Sequence, residues 1–197
     1  MTPASSRIAL ILSAFLLGVV VIFGTIFVLT GREPGAPTSS AIGGSFSLVD
    51  QDGKTVTDAD LKGKPFLVFF GFTHCPDVCP TALFEISEVL RALGGDADKT
   101  QALFVTVDPE RDTPAKLKDY LSSFDPRLGA LTGTPEEVAA MTKAYRVYAK
   151  KVPLQGDDYT MDHTALVYLM DKQGRFVAPF NVKRKPEEAA AELRKFI

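Results

Sequence analysis

The sequence predicts an α/β domain, built on a mixed sheet flanked by helices, behind one N-terminal transmembrane helix. Three observations support this prediction. They are an uncharged apolar run near the N-terminus, two later apolar runs typical of buried strands, and helix starts marked by Thr-Pro or Lys-Pro pairs. The chain has 197 residues, which is enough for one packed domain with accessory segments.

The N-terminal run from Ile8 to Leu29 contains 22 residues and no charge, and about 20 residues are enough to cross a bilayer as a helix. A cleaved signal peptide is the alternative, but its apolar region usually covers only about 7–15 residues. Arg7 precedes the run, whereas Arg32 after it is followed at once by Glu33, which favours a cytoplasmic N-terminus. A span that starts at residue 8 leaves no room for a mitochondrial transit peptide. We therefore expect residues 1–7 in the cytoplasm, residues 8–29 in a bacterial inner membrane, and the soluble domain in the periplasm.

Residues 30–44 are rich in Gly, Pro, Ser and Thr and are predicted to form a flexible tether, so that residues 45–197 make up the folded domain. Crossover connections make the earlier strands of this domain parallel, whereas its late hairpin must be antiparallel. This arrangement is that of a thioredoxin-like fold. The predicted elements are a hairpin around residues 46–53, strands at 66–72 and 102–107, helices at 81–93, 113–124 and 134–145, a hairpin of 165–170 and 176–180, and a helix from 185 to the C-terminus.

The charge balance of the chain argues against one class of function. Lys and Arg number 22 and Asp and Glu number 24, which gives a formal net charge of −2. Nucleic-acid binders usually show a basic face. We therefore expect no nucleic-acid partner.

The two cysteines, Cys75 and Cys79, lie in the decapeptide GFTHCPDVCP at residues 71–80, between a predicted buried strand and a predicted helix. The C-terminal edge of a strand is a common ligand position in open α/β sheets. The helix N-terminus offers unpaired N–H groups and the positive end of the helix dipole, which favour thiolate over thiol. Pro80 is expected in the first helical turn, with Cys79 at the cap and Cys75 on the preceding loop.

Three interpretations of the cysteine pair are open at this point. A static disulfide would close so small a loop that it would stabilise the fold only weakly. A thiol–disulfide oxidoreductase is the second interpretation, although its familiar motif is Cys-x-x-Cys. A metal site is the third, because two thiolates suit Cu(I) or Zn(II), but either ion then needs a further ligand.

His163 is the candidate third ligand, because it precedes the predicted strand at residue 165, whose start faces the cysteine loop in a thioredoxin-like sheet. His74 is the alternative, but it shares the short loop of Cys75, where its ring more easily points to solvent. Cu(I) accepts trigonal coordination by two cysteines and a histidine, whereas structural zinc nearly always takes four ligands. The ligand set therefore favours copper, as Cu(I) with Cu(II) left open.

Three acidic residues near the candidate ligands could tune or orient the site. Asp108 falls just beyond the predicted strand at residues 102–107, where it can act on the site or simply cap a turn before proline. Asp77 lies between the two cysteines and Asp162 directly precedes the histidine, so both are further candidates.

The chain closely resembles the Sco/SenC family, whose members are involved in cytochrome c oxidase assembly. Three blocks carry the resemblance, in the family's order and spacing: GFTHCPDVCP at residues 71–80, VDPERDT at 107–113, and DHT at 162–164 followed by a strand and D-x-x-G at 171–174. The resemblance covers residues 42–197. It implies a thioredoxin-like fold with copper bound by Cys75, Cys79 and His163.

The resemblance also implies a function, which is to supply copper to, or reduce the cysteines of, the binuclear CuA centre in oxidase subunit II. Members of the family are described as metallochaperones, thiol reductases or redox sensors. The first hypothesis for this chain is therefore a metallochaperone. The second is a thiol–disulfide reductase or redox sensor, with Cys75 and Cys79 as its redox disulfide and copper incidental. Other periplasmic copper chaperones or thioredoxin-like reductases are further expected partners.

Overall fold

The protein is described here by a computed structural model, which defines residues 12–22, 24–25 and 42–197. The chain divides into two compact units, Met1–Thr38 and Ser39–Ile197. In the first unit, the described residues are helical.

Among the described residues, no helix is both long enough and apolar enough to cross a bilayer. Both ends of the predicted span at 8–29 lie outside those residues, as do the predicted cytoplasmic segment 1–7 and most of the predicted tether 30–44. These three assignments therefore stay predictions.

The second unit contains one seven-stranded sheet and a separate two-stranded sheet. The strands of the large sheet are β1 (Ser47–Asp50), β2 (Thr55–Thr57), β3 (Phe66–Gly71), β4 (Gln101–Thr106), β5 (Leu128–Thr132), β8 (Val167–Met170) and β9 (Phe176–Pro179); the small sheet pairs β6 (Ala149–Pro153) with β7 (Tyr159–His163). The order across the large sheet is β2-β1-β5-β4-β3-β8-β9. Strands β3, β4 and β5 are parallel and the other neighbours are antiparallel. The predicted thioredoxin-like mixed sheet is thus confirmed.

Four α-helices accompany the sheet within residues 42–197: α1 (Val78–Leu93), α2 (Pro114–Leu121), α3 (Pro135–Ala144) and α4 (Pro186–Leu193). Thr113 and Thr134 cap α2 and α3 as predicted, and Thr134 forms a reciprocal capping box with Glu137. Gly94 ends α1 with a positive φ of 58°, which a residue with a side chain rarely adopts.

Strand β3 is buried along its whole length, because both faces of the sheet are covered there. On one face Phe69 stacks on Phe104, with ring centroids 6.3 Å apart. On the opposite face Phe70 packs against Tyr145 at 5.4 Å. Since side chains alternate along a strand, Gly71 belongs to the face of Phe69, and this face carries the candidate site.

Three differences from the predicted elements bear on the site. Helix α1 begins at Val78 rather than residue 81, so Cys79 lies inside the first turn and Asp77 occupies the cap. The sequence does not predict β5, because its small residues Gly129 and Ala130 give little strand signal. Nor does it predict the β6–β7 hairpin, in which β6 is mostly exposed, β7 is mostly half-buried and apolar alternation is absent. As a result, His163 ends β7 instead of leading directly into β8.

Candidate metal centre

The two cysteines lie where β3 meets α1. Cys75 is half-buried on the connecting loop, and Cys79 is fully buried as the second residue of the helix. Both are free thiols. The backbone N–H of Cys79 donates a hydrogen bond to the sulfur of Cys75 over 3.3 Å. The N-terminus of α1 therefore directs one of its unpaired N–H donors at the Cys75 sulfur.

His163 reaches the cysteines from the end of β7. Its Nε2 lies 3.5 Å from the Cys79 Sγ. One ligand atom from each of Cys75, Cys79 and His163 lies within 4.8 Å of the others. The opposite nitrogen, Nδ1, is 3.2 Å from the carbonyl oxygen of Thr164. A proton on Nδ1 donated to that carbonyl leaves the Nε2 lone pair facing the sulfurs, as in metal-ligating histidines.

The ring of His163 is held by two aromatic neighbours. Phe69 and Phe72 meet it nearly perpendicularly, with ring centroids 6.2 Å and 5.7 Å away. Edge-to-face packing of this kind is favourable and fixes the orientation of the ring. The imidazole is therefore oriented by its neighbours before any metal arrives.

Burial controls the protonation of the three side chains. It raises the pKa of the Cys79 thiol, an effect that the hydrogen bond to Cys75 reinforces. Burial also lowers the pKa of His163, against the opposing effects of the Thr164 carbonyl and the Asp162 charge. Near pH 7 the Cys79 thiol is therefore protonated and the His163 imidazole neutral, so a bound metal must displace a thiol proton but need not displace an imidazole proton.

Gly71 allows Cys79 to approach the sheet. A Cβ atom at Gly71 would lie 2.7 Å from the Cys79 Sγ and 2.7 Å from Cε2 of Phe104, closer than real Cβ atoms come to such neighbours. The absence of a side chain at Gly71 thus makes room for the Cys79 sulfur. This explains why a glycine ends the most apolar strand of the domain.

The hairpin that carries His163 is tied to the loop after β4. The Tyr159 hydroxyl donates to Asp108 over 2.8 Å, and Arg111 both pairs with Asp108 and donates to the Tyr159 carbonyl over 2.9 Å. The Arg111 guanidinium also lies 3.7 Å above the centre of the Tyr159 ring. Hydrogen bonds, charge and a cation–π contact therefore act together on the β7 end opposite His163.

The predicted acidic residues do not surround the three candidate ligands. The buried carboxylate of Asp108 is hydrogen bonded to Tyr159 and Arg111, so it acts through the hairpin. Asp77 is exposed and makes no side-chain cap to α1. Asp162 is exposed and acts on His163 by charge. The tuning roles predicted for these three residues stay predictions.

A fourth acidic residue, Asp112, is closer to the cysteine loop and was not among the predicted residues. It is fully buried and accepts hydrogen bonds from the Thr73 N–H over 3.0 Å, the Thr73 hydroxyl over 2.6 Å and the Thr106 hydroxyl over 2.6 Å. It therefore holds the loop between β3 and Cys75 in place. Its position in the VDPERDT block is a sequence signal that could have identified it.

Tyr120, on α2, also went unpredicted. Its ring packs on Phe104 at 5.8 Å, and its hydroxyl oxygen is buried without a hydrogen-bond partner. Burial raises the pKa of this hydroxyl, and the charges of Cys79 and Cys75 act in the same direction. His74, the alternative third ligand, is exposed and its Nδ1 lies 3.2 Å from the Thr73 hydroxyl. It stands outside the group that Cys75, Cys79 and His163 form.

Two cysteines at a strand-to-helix junction, facing a histidine on a thioredoxin-like sheet, define a class of α/β proteins built for thiol and soft-metal chemistry. The sequence profile of the SCO1/SenC family matches residues 34–197. The chain therefore belongs to the SCO1/SenC family.

Three known proteins illustrate the relationship. Protein sco1 of Schizosaccharomyces pombe is 40% identical over 156 residues, which cover 77% of this chain but only 59% of that protein. The structure of Bradyrhizobium japonicum ScoI with copper bound is 69% identical, with a TM-score of 0.78, and the match covers 79% of this chain and 99% of that one. BsSco, described as having a disulfide switch and as a member of the Sco family of cytochrome c oxidase assembly proteins, is 23% identical, with a TM-score of 0.64 over 81% of this chain and 95% of that one. At that identity the likeness to BsSco shows the fold alone.

Replacing Gly71 with alanine should disturb the centre directly. The added methyl group overlaps the Cys79 sulfur and the Phe104 ring, so we expect Gly71→Ala to lower the free energy of unfolding by about 1–3 kcal/mol. It should also weaken metal binding, because Cys79 must move. Urea denaturation and a metal titration measure the two effects. Gly95→Ala is the matched control, since nothing lies within 4 Å of its added Cβ; equal behaviour of the two variants would contradict the packing argument.

Replacing Asp112 with asparagine should loosen the cysteine loop. The change removes the charge from three hydrogen bonds, and charge-assisted bonds contribute about 1.5–3 kcal/mol each. We therefore expect a loss of at least about 1.5 kcal/mol in the free energy of unfolding, measured by urea denaturation. Asp77→Asn is the control, because Asp77 is exposed, and it should change stability by less than about 0.5 kcal/mol. A similar small effect in both variants would rule out the anchoring role of Asp112.

Proposed function

We propose that this chain is a copper-binding metallochaperone that delivers copper to the CuA centre of cytochrome c oxidase subunit II during assembly. The observation that carries the proposal is the convergence of Cys75, Cys79 and His163, with one ligand atom of each within 4.8 Å of the others. Family membership supports it, as does the copper bound to the Bradyrhizobium japonicum relative.

The three donors fit copper better than other common metals. Two thiolates and one imidazole are soft to intermediate ligands, and Cu(I) accepts three of them in a trigonal arrangement. Structural zinc nearly always completes a set of four. Within residues 42–197, the potential ligand group formed by His, Cys, Asp and Glu side chains stops at these three. The same set can accept Cu(II), as a second oxidation state of the cargo.

The burial of the three donors suits a carrier rather than a permanent holder. Cys79 is enclosed, whereas Cys75 and His163 are only partly buried. An incoming thiolate from an acceptor can therefore replace the outer ligands one at a time while Cys79 still holds the ion. Transfer by ligand exchange of this kind leaves the oxidation state of the copper unchanged.

A second function, reduction of the acceptor's disulfide, is favoured by one observation: Cys75 is the more exposed thiol and receives a hydrogen bond from the N–H of Cys79. In this reaction the Cys75 thiolate attacks the target disulfide, forming a mixed disulfide and releasing one target thiolate. Cys79 then attacks the Cys75 sulfur, which releases the second target thiolate and leaves a Cys75–Cys79 disulfide. Two electrons pass to the target. The same disulfide would serve a redox sensor.

The proposal includes a cellular location. Residues 8–29 anchor the protein as a single pass in a bacterial inner membrane, and residues 45–197 face the periplasm, where other copper chaperones or thioredoxin-like reductases are further partners. The uncharged length of the N-terminal run and the position of Arg7 before it support this arrangement.

Loss of the histidine should separate the two functions. We expect His163→Ala to weaken Cu(I) binding at least tenfold, about 1.4 kcal/mol, because the metal loses one of three donors. An anaerobic competition titration of the reduced protein measures this. His74→Ala is the matched control, since His74 is exposed beside the same cysteines, and it should bind as the unchanged protein does.

Equal affinity of His163→Ala and the unchanged protein would exclude His163 as a ligand. If His163→Ala then still reduced the disulfide of an oxidised CuA domain at the original rate, the reductase function would replace the chaperone function.

Copper affinity should rise with pH. Because burial raises the pKa of Cys79, that thiol is protonated across pH 6.5–8.0 and its proton must leave when copper binds. The apparent Cu(I) affinity should therefore increase at least about tenfold per pH unit. Burial lowers the pKa of His163, so its imidazole is mostly neutral in this range and contributes less to the slope than the Cys79 thiol does. Competition titrations at several pH values, in the unchanged protein and in His163→Ala, should show nearly the same slope; an affinity independent of pH would contradict the proton displacement.

A further inference from the structure

An apolar groove of about 560 Å³ begins beside the metal centre. It runs between the first two turns of α1 on one side and the segment between His163 and β8, with the residues after β9, on the other. Its side chains are mostly apolar and include Phe69, Val78 and Leu166, while Asp77, Glu85 and Lys183 are its charged residues.

The groove and the metal centre share a wall. Phe69 lines the groove and also packs against the ring of His163. Val78 lines the groove next to Cys79, and Ala165 lines it two residues after His163. A chain that lies in the groove would therefore contact residues directly adjacent to Cys79 and His163.

Other residues of the fold cover part of the metal centre. Cys79 is fully buried against β3, and Phe72 covers a second edge of the His163 ring. The hairpin that carries His163 is fixed to the loop after β4 by Tyr159 and Asp108. Cys75 is the more accessible of the two sulfurs, so an incoming thiolate meets it before Cys79.

Two large apolar side chains on the walls of the groove are exposed. Val78 is 47% exposed and Leu166 is 46% exposed, and they lie on opposite walls of the groove. Apolar side chains that flank a reactive site on both sides provide the water-excluding contacts typical of a binding surface.

We propose that this groove binds the cysteine-bearing segment of the copper acceptor, with an apolar side chain next to the acceptor's cysteine seated between Val78 and Leu166. The inference rests on the proposed function. Each acceptor thiol loses its proton to solvent as its sulfur bonds to Cu(I), and a bond from copper to Cys75 or His163 breaks in exchange. The ion keeps its charge throughout.

The charges around the groove favour particular residues on either side of the cysteines in the acceptor segment. Asp77 and Glu85 outnumber Lys183 among the lining residues. Cu(I) held by two thiolates and a neutral imidazole adds one further negative charge. An acidic segment would be repelled, so the acceptor segment has neutral or basic residues beside its cysteines.

The test compares two leucine variants of the full-length chain loaded with Cu(I). Leu166→Glu places a charge in the groove without touching a ligand. Leu154→Glu is the matched control, because Leu154 is 50% exposed and follows β6 at the end of the hairpin away from His163. The probe is the reduced, metal-free CuA domain of oxidase subunit II, and the rate of copper transfer is followed by stopped flow.

Leu166→Glu should slow transfer to the CuA domain at least tenfold, while Leu154→Glu transfers at the rate of the unchanged protein. Loss of copper to a small-molecule chelator, which needs no docking, should be equal in all three proteins. Normal transfer by Leu166→Glu would overturn the docking inference and leave the chaperone function intact. Failure of the unchanged protein to transfer copper, although it binds the ion, would instead overturn the proposed function.

Discussion

The close contact between Cys79 and the end of β3 is the constraint on which the rest of the centre depends. A Cβ atom at residue 71 would lie only 2.7 Å from the Cys79 sulfur. Because Gly71 has no Cβ, the first turn of α1 can pack directly on the sheet. That contact buries the thiol completely and raises its pKa. It also places Cys75 within reach of the Cys79 N–H, at 3.3 Å. The geometry of the cysteine loop and the raised pKa of Cys79 therefore have the same cause, which is the packing of α1 against Gly71.

The third donor comes from a different part of the fold and is positioned by different forces. His163 ends a two-stranded sheet that is separate from the large sheet, so ladder hydrogen bonds to β3 do not fix it. Aromatic contacts with Phe69 and Phe72 orient its ring, while Asp108 and Arg111 hold the opposite end of β7 through Tyr159. The VDPERDT block thus connects both halves of the centre: Asp108 secures the hairpin, and Asp112 secures the cysteine loop through Thr73.

Sequence patterns predicted the parts of the fold that have strong local signals. The apolar run of β3 and the N-caps at Thr113 and Thr134 were predicted correctly, because strand burial and helix capping each depend on a few adjacent residues. The β6–β7 hairpin was missed, because exposed strands such as AKKVP carry no such local signal. Asp112 was missed for another reason: its partners Thr73 and Thr106 meet it only through tertiary contacts. The mutual proximity of Cys75, Cys79 and His163 was expected because the strand after His163 starts opposite the cysteine loop, but the separate sheet that carries His163 was not foreseen.

The unequal burial of the donors has a consequence for release as well as for binding. An exposed thiol, whose pKa is about 8.5, gives up its proton to a metal at a lower cost than a buried thiol does. Burial of Cys79 makes its deprotonation costly, which limits the net copper affinity. In the proposed transfer reaction, an acceptor with less buried thiols would then take the ion. In that reaction exchange would begin at Cys75 and His163, because both are less buried than Cys79. The packing that Gly71 permits therefore affects how firmly the centre holds its ion and, in the proposed transfer, which ligands would be exchanged first.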